Sequence, residues 1–191
     1  SYQGDGTSGV YIYGASLEQG YATSYIPTSG SATTRLADVC SQTPSSGVIG
    51  QTEGTLFIEM NHTLSTVPSG FAPLYVGEGT YQNAIYFSLN ASDNILYAVI
   101  WEDGTRESLI NMGTLSQGIN KIALSYETGS LVTFLNGVNK GSDTPSALPS
   151  PNKIYLGQTG TSTALQKTNV LDVRVYNTRL SNAELQALTT I

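Results

Sequence analysis

Charge is scarce in this chain of 191 residues. Asp, Glu, Lys and Arg make up only 12% of it, with 8 Lys and Arg against 14 Asp and Glu, so the formal net charge is −6. No run of Lys or Arg exists, which removes the electrostatic footprint that nucleic-acid binding requires. A mildly acidic surface suits a neutral ligand held by stacking and hydrogen bonds. It disfavours a strongly anionic polymer unless positive groups cluster locally. The one cysteine, Cys40, excludes an intrachain disulfide and reads as a reduced bystander, with an interchain bridge in an oligomer as the alternative. The one histidine, His62, leaves too few ligands for a metal site built on His and Cys. No apolar run reaches the ~20 residues of a membrane-spanning helix. No signal peptide is visible, and the opening Ser1-Tyr2-Gln3-Gly4-Asp5-Gly6 lacks a Met, so the chain reads as a piece of something longer.

What the chain has in abundance is Gly, with 20 residues, and Tyr, with 12, beside 4 Phe and 1 Trp. Such a composition suits many short strands joined by tight turns, not disorder. The spacing predicts strands at Thr55–Met60, Pro73–Gly77, Asn83–Leu89, Asn94–Trp101, Arg106–Ile110, Asn120–Tyr126, Ser130–Leu135, Val138–Lys140, Lys153–Gly157 and Val170–Asn177. Asp103-Gly104 and Asn136-Gly137 are tight hairpin signals. Ser181-Asn182-Ala183-Glu184 is a capping box opening a short C-terminal helix, which Leu185 and Leu188 would anchor. Regular strands broken by turn residues predict an all-β, antiparallel sandwich. Residues 53–191 form that body. Residues 20–52, rich in Ser, Thr and Gly and holding Pro27 and Pro44, read as an extended strap ordered against a surface. Residues 1–19 hold one strand, Val10–Tyr13, which needs partners from elsewhere.

Two stretches carry resemblances. The tract Gly14–Asp38, with Thr-Ser-Tyr-Ile-Pro-Thr-Ser-Gly-Ser-Ala at its centre, resembles a linker in tail fibre and tailspike proteins of bacteriophages and prophages, where it leaves a jelly-roll module. The order of the body resembles the concanavalin A-like lectin/glucanase superfamily in its laminin-G-like branch. The match is carried by Gly-Thr-Leu-Phe-Ile-Glu-Met, by the central hairpin and by the closing Val-Leu-Asp-Val-Arg-Val-Tyr-Asn-Thr-Arg-Leu-Ser-Asn-Ala-Glu-Leu. These resemblances imply a concanavalin A-like jelly-roll sandwich, placed in the distal part of a homotrimeric tail fibre or tailspike. They further imply receptor binding to a bacterial surface polysaccharide.

The residue types favour lectin-like carbohydrate binding over catalysis. Glycoside hydrolysis needs two carboxylates across the scissile bond, and glucanases of the superfamily carry Glu-x-Asp-x-Glu on one strand; no such triplet occurs. Glu102-Asp103 is an adjacent acidic pair in a turn-forming position. Asp172 and Arg174 share a strand face and read as an ion pair or as two solvent-facing residues. Sugars offer hydroxyls to amides and carboxylates and C–H faces to aromatic rings. Trp101, Glu102, Asp103 and Arg106 at one hairpin end, with Tyr81 and Asn83 in the loop Gly79–Asn83, are the candidate ligand-binding residues. Trp101 reads equally as a core residue at a sheet margin, and Tyr81 reads as exposed. No cofactor is expected. Calcium, which some laminin-G-like relatives hold at the rim, would have to use Asp93, Asp103 or Asp143 on loops. The alternatives to a receptor-binding module are a trimerisation cap without ligand, an accessory module of a polysaccharide depolymerase, and a secreted bacterial adhesin.

Overall fold

The structure, a computed structural model, describes residues 6, 9, 25, 27, 30, 31, 40–45, 47–63, 71–90, 92–157 and 169–191. The chain divides into two compact units, Ser1–Ala37 and Asp38–Ile191. The strand expected at 10–13 and most of the tract 14–38 lie outside the described residues.

The second unit is an antiparallel β-sandwich with one short C-terminal helix. Its six-stranded sheet runs in the order β1 (Cys40–Gln42), β10 (Lys153–Leu156), β3 (Leu74–Gly77), β4 (Ala84–Leu89), β5 (Ile95–Glu102), β6 (Thr105–Thr114). Its five-stranded sheet runs β11 (Asn169–Tyr176), β2 (Glu53–His62), β7 (Gly118–Glu127), β8 (Ser130–Leu135), β9 (Val138–Asp143). Alternation drives the assembly, because successive side chains of a strand point to opposite faces. In β2, Leu56, Ile58 and Met60 point inward; in β7, Ile122, Leu124 and Tyr126 join them. They meet Leu74, Val76, Ile85, Phe87, Leu96, Ala98 and Ile100 from the other sheet. Each Leu or Ile so buried contributes roughly 1.5–3 kcal/mol.

The sequence reading begins the body at residue 53, whereas the compact unit begins at Asp38. The reason is β1, which lies in the tract read as strap and pairs with β10, placing Cys40 opposite Leu156. Cys40 is an exposed, free thiol. Beyond β1 the strap is held to the body: Ile49 is a core residue, and the Tyr126 hydroxyl donates to the Gly50 carbonyl at 2.8 Å.

The helix α1 (Asn182–Thr189) covers the outer face of the five-stranded sheet. Ser181 and Glu184 form the expected capping box. Leu185 is fully buried against Phe57, Ala123, Val132 and Phe134, and Leu188 packs beside it. Asp172 and Arg174 form an ion pair at 2.6 Å, with the guanidinium 5.5 Å from the centre of the Phe57 ring. Asp103-Gly104 and Asn136-Gly137 both have positive φ at each residue, as the two-residue hairpin turns that match strand twist require.

One buried amide ties the strands together near α1. Asn120 is fully buried. Its Oδ1 accepts from the Ser116 amide at 3.2 Å and from Asn136 Nδ2 at 3.2 Å, and its Nδ2 donates to the Ser116 carbonyl at 2.7 Å and the Gly118 carbonyl at 3.0 Å. Removing it strands several buried polar groups at once. Asn120→Ala should therefore lose about 3 kcal/mol, seen as a lower urea midpoint at unchanged m-value. An unchanged midpoint would contradict the assignment.

Candidate functional site

The outer face of the six-stranded sheet is aromatic, and strand register decides how the rings are arranged. Across the strands, Tyr155 lies opposite Tyr75, Tyr75 opposite Tyr86, Tyr86 opposite Val99 and Val99 opposite Leu109. The next row runs Lys153, Gly77, Ala84, Trp101, Arg106. Along β5, Tyr97 and Trp101 flank Val99 two residues to either side. Val99 is thus a short side chain ringed by Tyr86, Tyr97, Trp101 and Leu109, and the gap above it is an open hollow of about 280 Å³. Ser88, Asn90 and Arg106 complete its lining.

The rings are held rather than loosely displayed. Tyr75 is fully buried, its hydroxyl donates to the Thr80 carbonyl, and burial pushes its pKa up. Its ring centre lies 5.6 Å from that of Tyr86 and 5.5 Å, edge-on, from that of Tyr155. Burial also raises the Tyr86 hydroxyl pKa, with the neighbouring Trp101 indole acting in the opposite direction. Tyr86 is 7% exposed, and the more accessible Trp101 packs against the cluster it belongs to.

The structure brings the sequence-predicted residues to one corner of this sheet. The Asn83 Oδ1 accepts from the Asp103 amide at 2.8 Å, and the Gly104 amide donates to the Gln82 carbonyl at 3.2 Å. The 78–83 loop is thereby docked on the β5–β6 turn, and exposed Tyr81 stands 6.5 Å from Tyr86. Trp101 and Arg106 line the hollow; Tyr81, Asn83, Glu102 and Asp103 form its surroundings and not its lining. Trp101 lies on the outer face and not in the inner core. Sequence reasoning missed Tyr86, Ser88, Asn90, Tyr97, Val99 and Leu109. The alternate positions 97, 99 and 101 of a strand whose other face is Leu96, Ala98 and Ile100 were the available signal.

Other candidate residues are engaged within the fold. His62 is 3% exposed, and burial lowers its pKa, which keeps it neutral and away from solvent. Asp93 accepts from the Ile95 amide at 3.0 Å. Asp143 accepts from the Ser108 hydroxyl at 2.7 Å, joining the β6 and β9 edges of the two sheets. Among the described residues, no three His, Cys, Asp or Glu side chains come together as a metal site would need. A second hollow, of about 340 Å³ between Pro44 and Pro151, is lined by neither an aromatic ring nor a charged group.

No protein-family model and no curated protein matches the chain. Solved structures do. The CBM40 of the Ruminococcus gnavus IT-sialidase bound to α2,3 sialyllactose is 19% identical, with a TM-score of 0.58, over 73% of this chain and 84% of that one. Domain 4 of AbnA, a GH43 extracellular arabinanase of Geobacillus stearothermophilus, in complex with arabinotriose, is 14% identical with a TM-score of 0.55, over 81% and 82%. A leech intramolecular trans-sialidase complexed with 2,7-anhydro-Neu5Ac reaches a TM-score of 0.63 at 18% identity. It is matched over 80% of this chain and 26% of its own length. At these identities the likeness shows the fold, the β-sandwich of carbohydrate-binding modules. None of the three is a phage protein.

Glu102, at the end of β5, carries an electrostatic cost. Its Oε2 is buried and has no hydrogen-bond partner among the described residues. Burial first, then the nearby carboxylates of Asp103, Glu78 and Glu107, raise its pKa. A carboxyl whose pKa is raised by folding destabilises the fold when ionised. The cost is absent below the ordinary glutamate value and complete above the raised one. Glu102→Gln should thus stabilise the protein in urea unfolding at neutral pH, with the gain vanishing as pH falls through the ordinary glutamate range. Equal or greater gain at low pH would contradict this.

Proposed function

We propose that this chain is a non-catalytic carbohydrate-binding module whose ligand seats in the hollow above Val99. The observation that carries the reading is the hollow itself: Tyr86, Tyr97 and Trp101 are fixed around a short floor, with amide, hydroxyl and guanidinium groups at the margin. Aromatic rings take the C–H faces of a pyranose or furanose ring, and the polar margin takes its hydroxyls. The volume is near the lower end for small-molecule sites, which suits one or two sugar units rather than a long chain. Support from outside the chain comes from neighbours of the same fold, one bound to α2,3 sialyllactose and one in complex with arabinotriose.

The finer reading concerns biological setting. We place the module in the distal part of a phage tail fibre or tailspike, as a homotrimer whose glycan is a bacterial surface polysaccharide. The resemblance of the 14–38 tract supports this placement. Three copies would raise weak single-site affinity into useful avidity. The chain should sediment with the mass of three chains and, when fluorescently labelled, bind bacteria strain-selectively. A monomer would contradict the trimer. A well-folded trimer that binds neither a broad strain panel nor purified polysaccharides would favour a structural cap without ligand.

Trp101 is the single tryptophan of the chain, so intrinsic fluorescence reports on the hollow directly. A saccharide panel including α2,3 sialyllactose and arabinotriose should contain members that change this emission saturably. Val99→Phe, which fills the hollow, and Tyr97→Ala, which removes one wall, should each weaken binding at least tenfold by calorimetry. Binding unaffected by both variants would overturn the site.

A further inference from the structure

The sign of the charge at the hollow is set by a bulge in β6, and from it we infer that the preferred ligand is an acidic saccharide, one bearing a carboxylate. This inference rests on the hollow being the saccharide site. Ile100 pairs with Ser108, but its neighbour Trp101 pairs with Arg106, so Glu107 is the extra residue between them. Regular pairing from Ile100 onward would set Glu107 opposite Trp101 and Arg106 opposite Glu102. A one-residue change of register alters which side chains share a face, and bulges re-aim side chains in this way. Here the bulge puts a guanidinium, not a carboxylate, beside the Trp101 ring.

The displaced Glu107 is held elsewhere. Its Oε2 accepts from the Ser146 amide at 2.8 Å, the Ser146 hydroxyl at 2.6 Å and the Ala147 amide at 3.1 Å, and these bonds hold its pKa below the ordinary value. Glu78 accepts from Asn83 Nδ2 at 3.3 Å. Arg106, by contrast, is exposed and has neither an ion pair nor a hydrogen bond among the described residues. It is the one charged side chain in the hollow's lining, which contains no Asp or Glu.

A planar guanidinium offers paired donors that match a carboxylate. A sugar ring stacked at Trp101 would bring its ring substituents to Arg106, one strand away. The chain's net charge of −6 opposes an anion at long range, but charges more than about 8 Å apart are largely screened at physiological salt. Closer in, the carboxylates around Glu102 oppose an anion, and the direct contact with Arg106 has to outweigh them. A carboxylate-bearing sugar gains a charge-assisted pair that a neutral sugar of the same shape lacks, a difference of about tenfold to a hundredfold in affinity.

The test uses the full chain and matched ligands: sialyllactose against lactose, and hexuronic acid oligosaccharides against their carboxyl-reduced forms. Wild type should prefer the acidic member of a pair at least tenfold, less so as salt rises. Arg106→Gln should abolish that preference, weakening the acidic member at least tenfold more than the neutral one, and Arg106→Lys should retain part of it. Arg106 is exposed, so the melting temperature should not move. Equal binding of neutral and acidic members, with no effect of Arg106→Gln, would overturn this inference and leave the saccharide site standing. Failure of every saccharide to perturb Trp101 fluorescence would overturn the site and the inference together.

Discussion

The two-residue pleat of β5 is the constraint on which both the core and the candidate site depend. One face of that strand supplies Leu96, Ala98 and Ile100 to the interior between the sheets. The other supplies Tyr97, Val99 and Trp101 to the hollow. Neither set can shift without the other, because a slip by one residue would bury the rings and expose the aliphatics. The hollow is therefore a consequence of the same burial that stabilises the sandwich. Its geometry is preset by a packed sheet and not by a loop, which limits the ordering cost of binding.

Several irregular features lie at the Trp101 end of that strand. The positive-φ turn Asp103-Gly104, the docked 78–83 loop, the buried and unpartnered Glu102 Oε2 and the β6 bulge all lie close to Trp101. A second register shift, between Leu96 and Tyr97, interrupts the same strand pair at its other end. Local departures of this kind, each with a cost, persist where surrounding structure holds them in place. The Asn83–Asp103 hydrogen bond is one such restraint, and the three bonds to Glu107 are another.

Most of the sandwich was legible in the sequence because its strands alternate and its turns use residues that tolerate positive φ. The Ser181–Glu184 capping box was legible for a similar reason, since the motif and the hydrogen bonds are the same thing. β1 was not legible. Its three residues, Cys40, Ser41 and Gln42, are all exposed and show no alternation, so its strand conformation comes from pairing with β10. The site was half legible. Residue type alone pointed to Trp101 and Arg106, whereas Tyr86 and Val99 read only as strand residues until register set them opposite one another. The bulge had no signature in Thr105–Ser108, because it follows from where the pairing on either side is fixed. The strap that resembles a tail-fibre linker and the sandwich that resembles carbohydrate-binding modules bear on different questions, setting and ligand respectively.

The most direct measurement is the map of backbone amide and indole shifts in the isotope-labelled chain, titrated with a saccharide that binds it. The account predicts the largest shifts in β4, β5 and β6 at Tyr86, Tyr97, Val99, Arg106 and the Trp101 indole, with the face beneath α1 silent. Shifts concentrated instead between Pro44 and Pro151, or on the outer face of the five-stranded sheet, would contradict it.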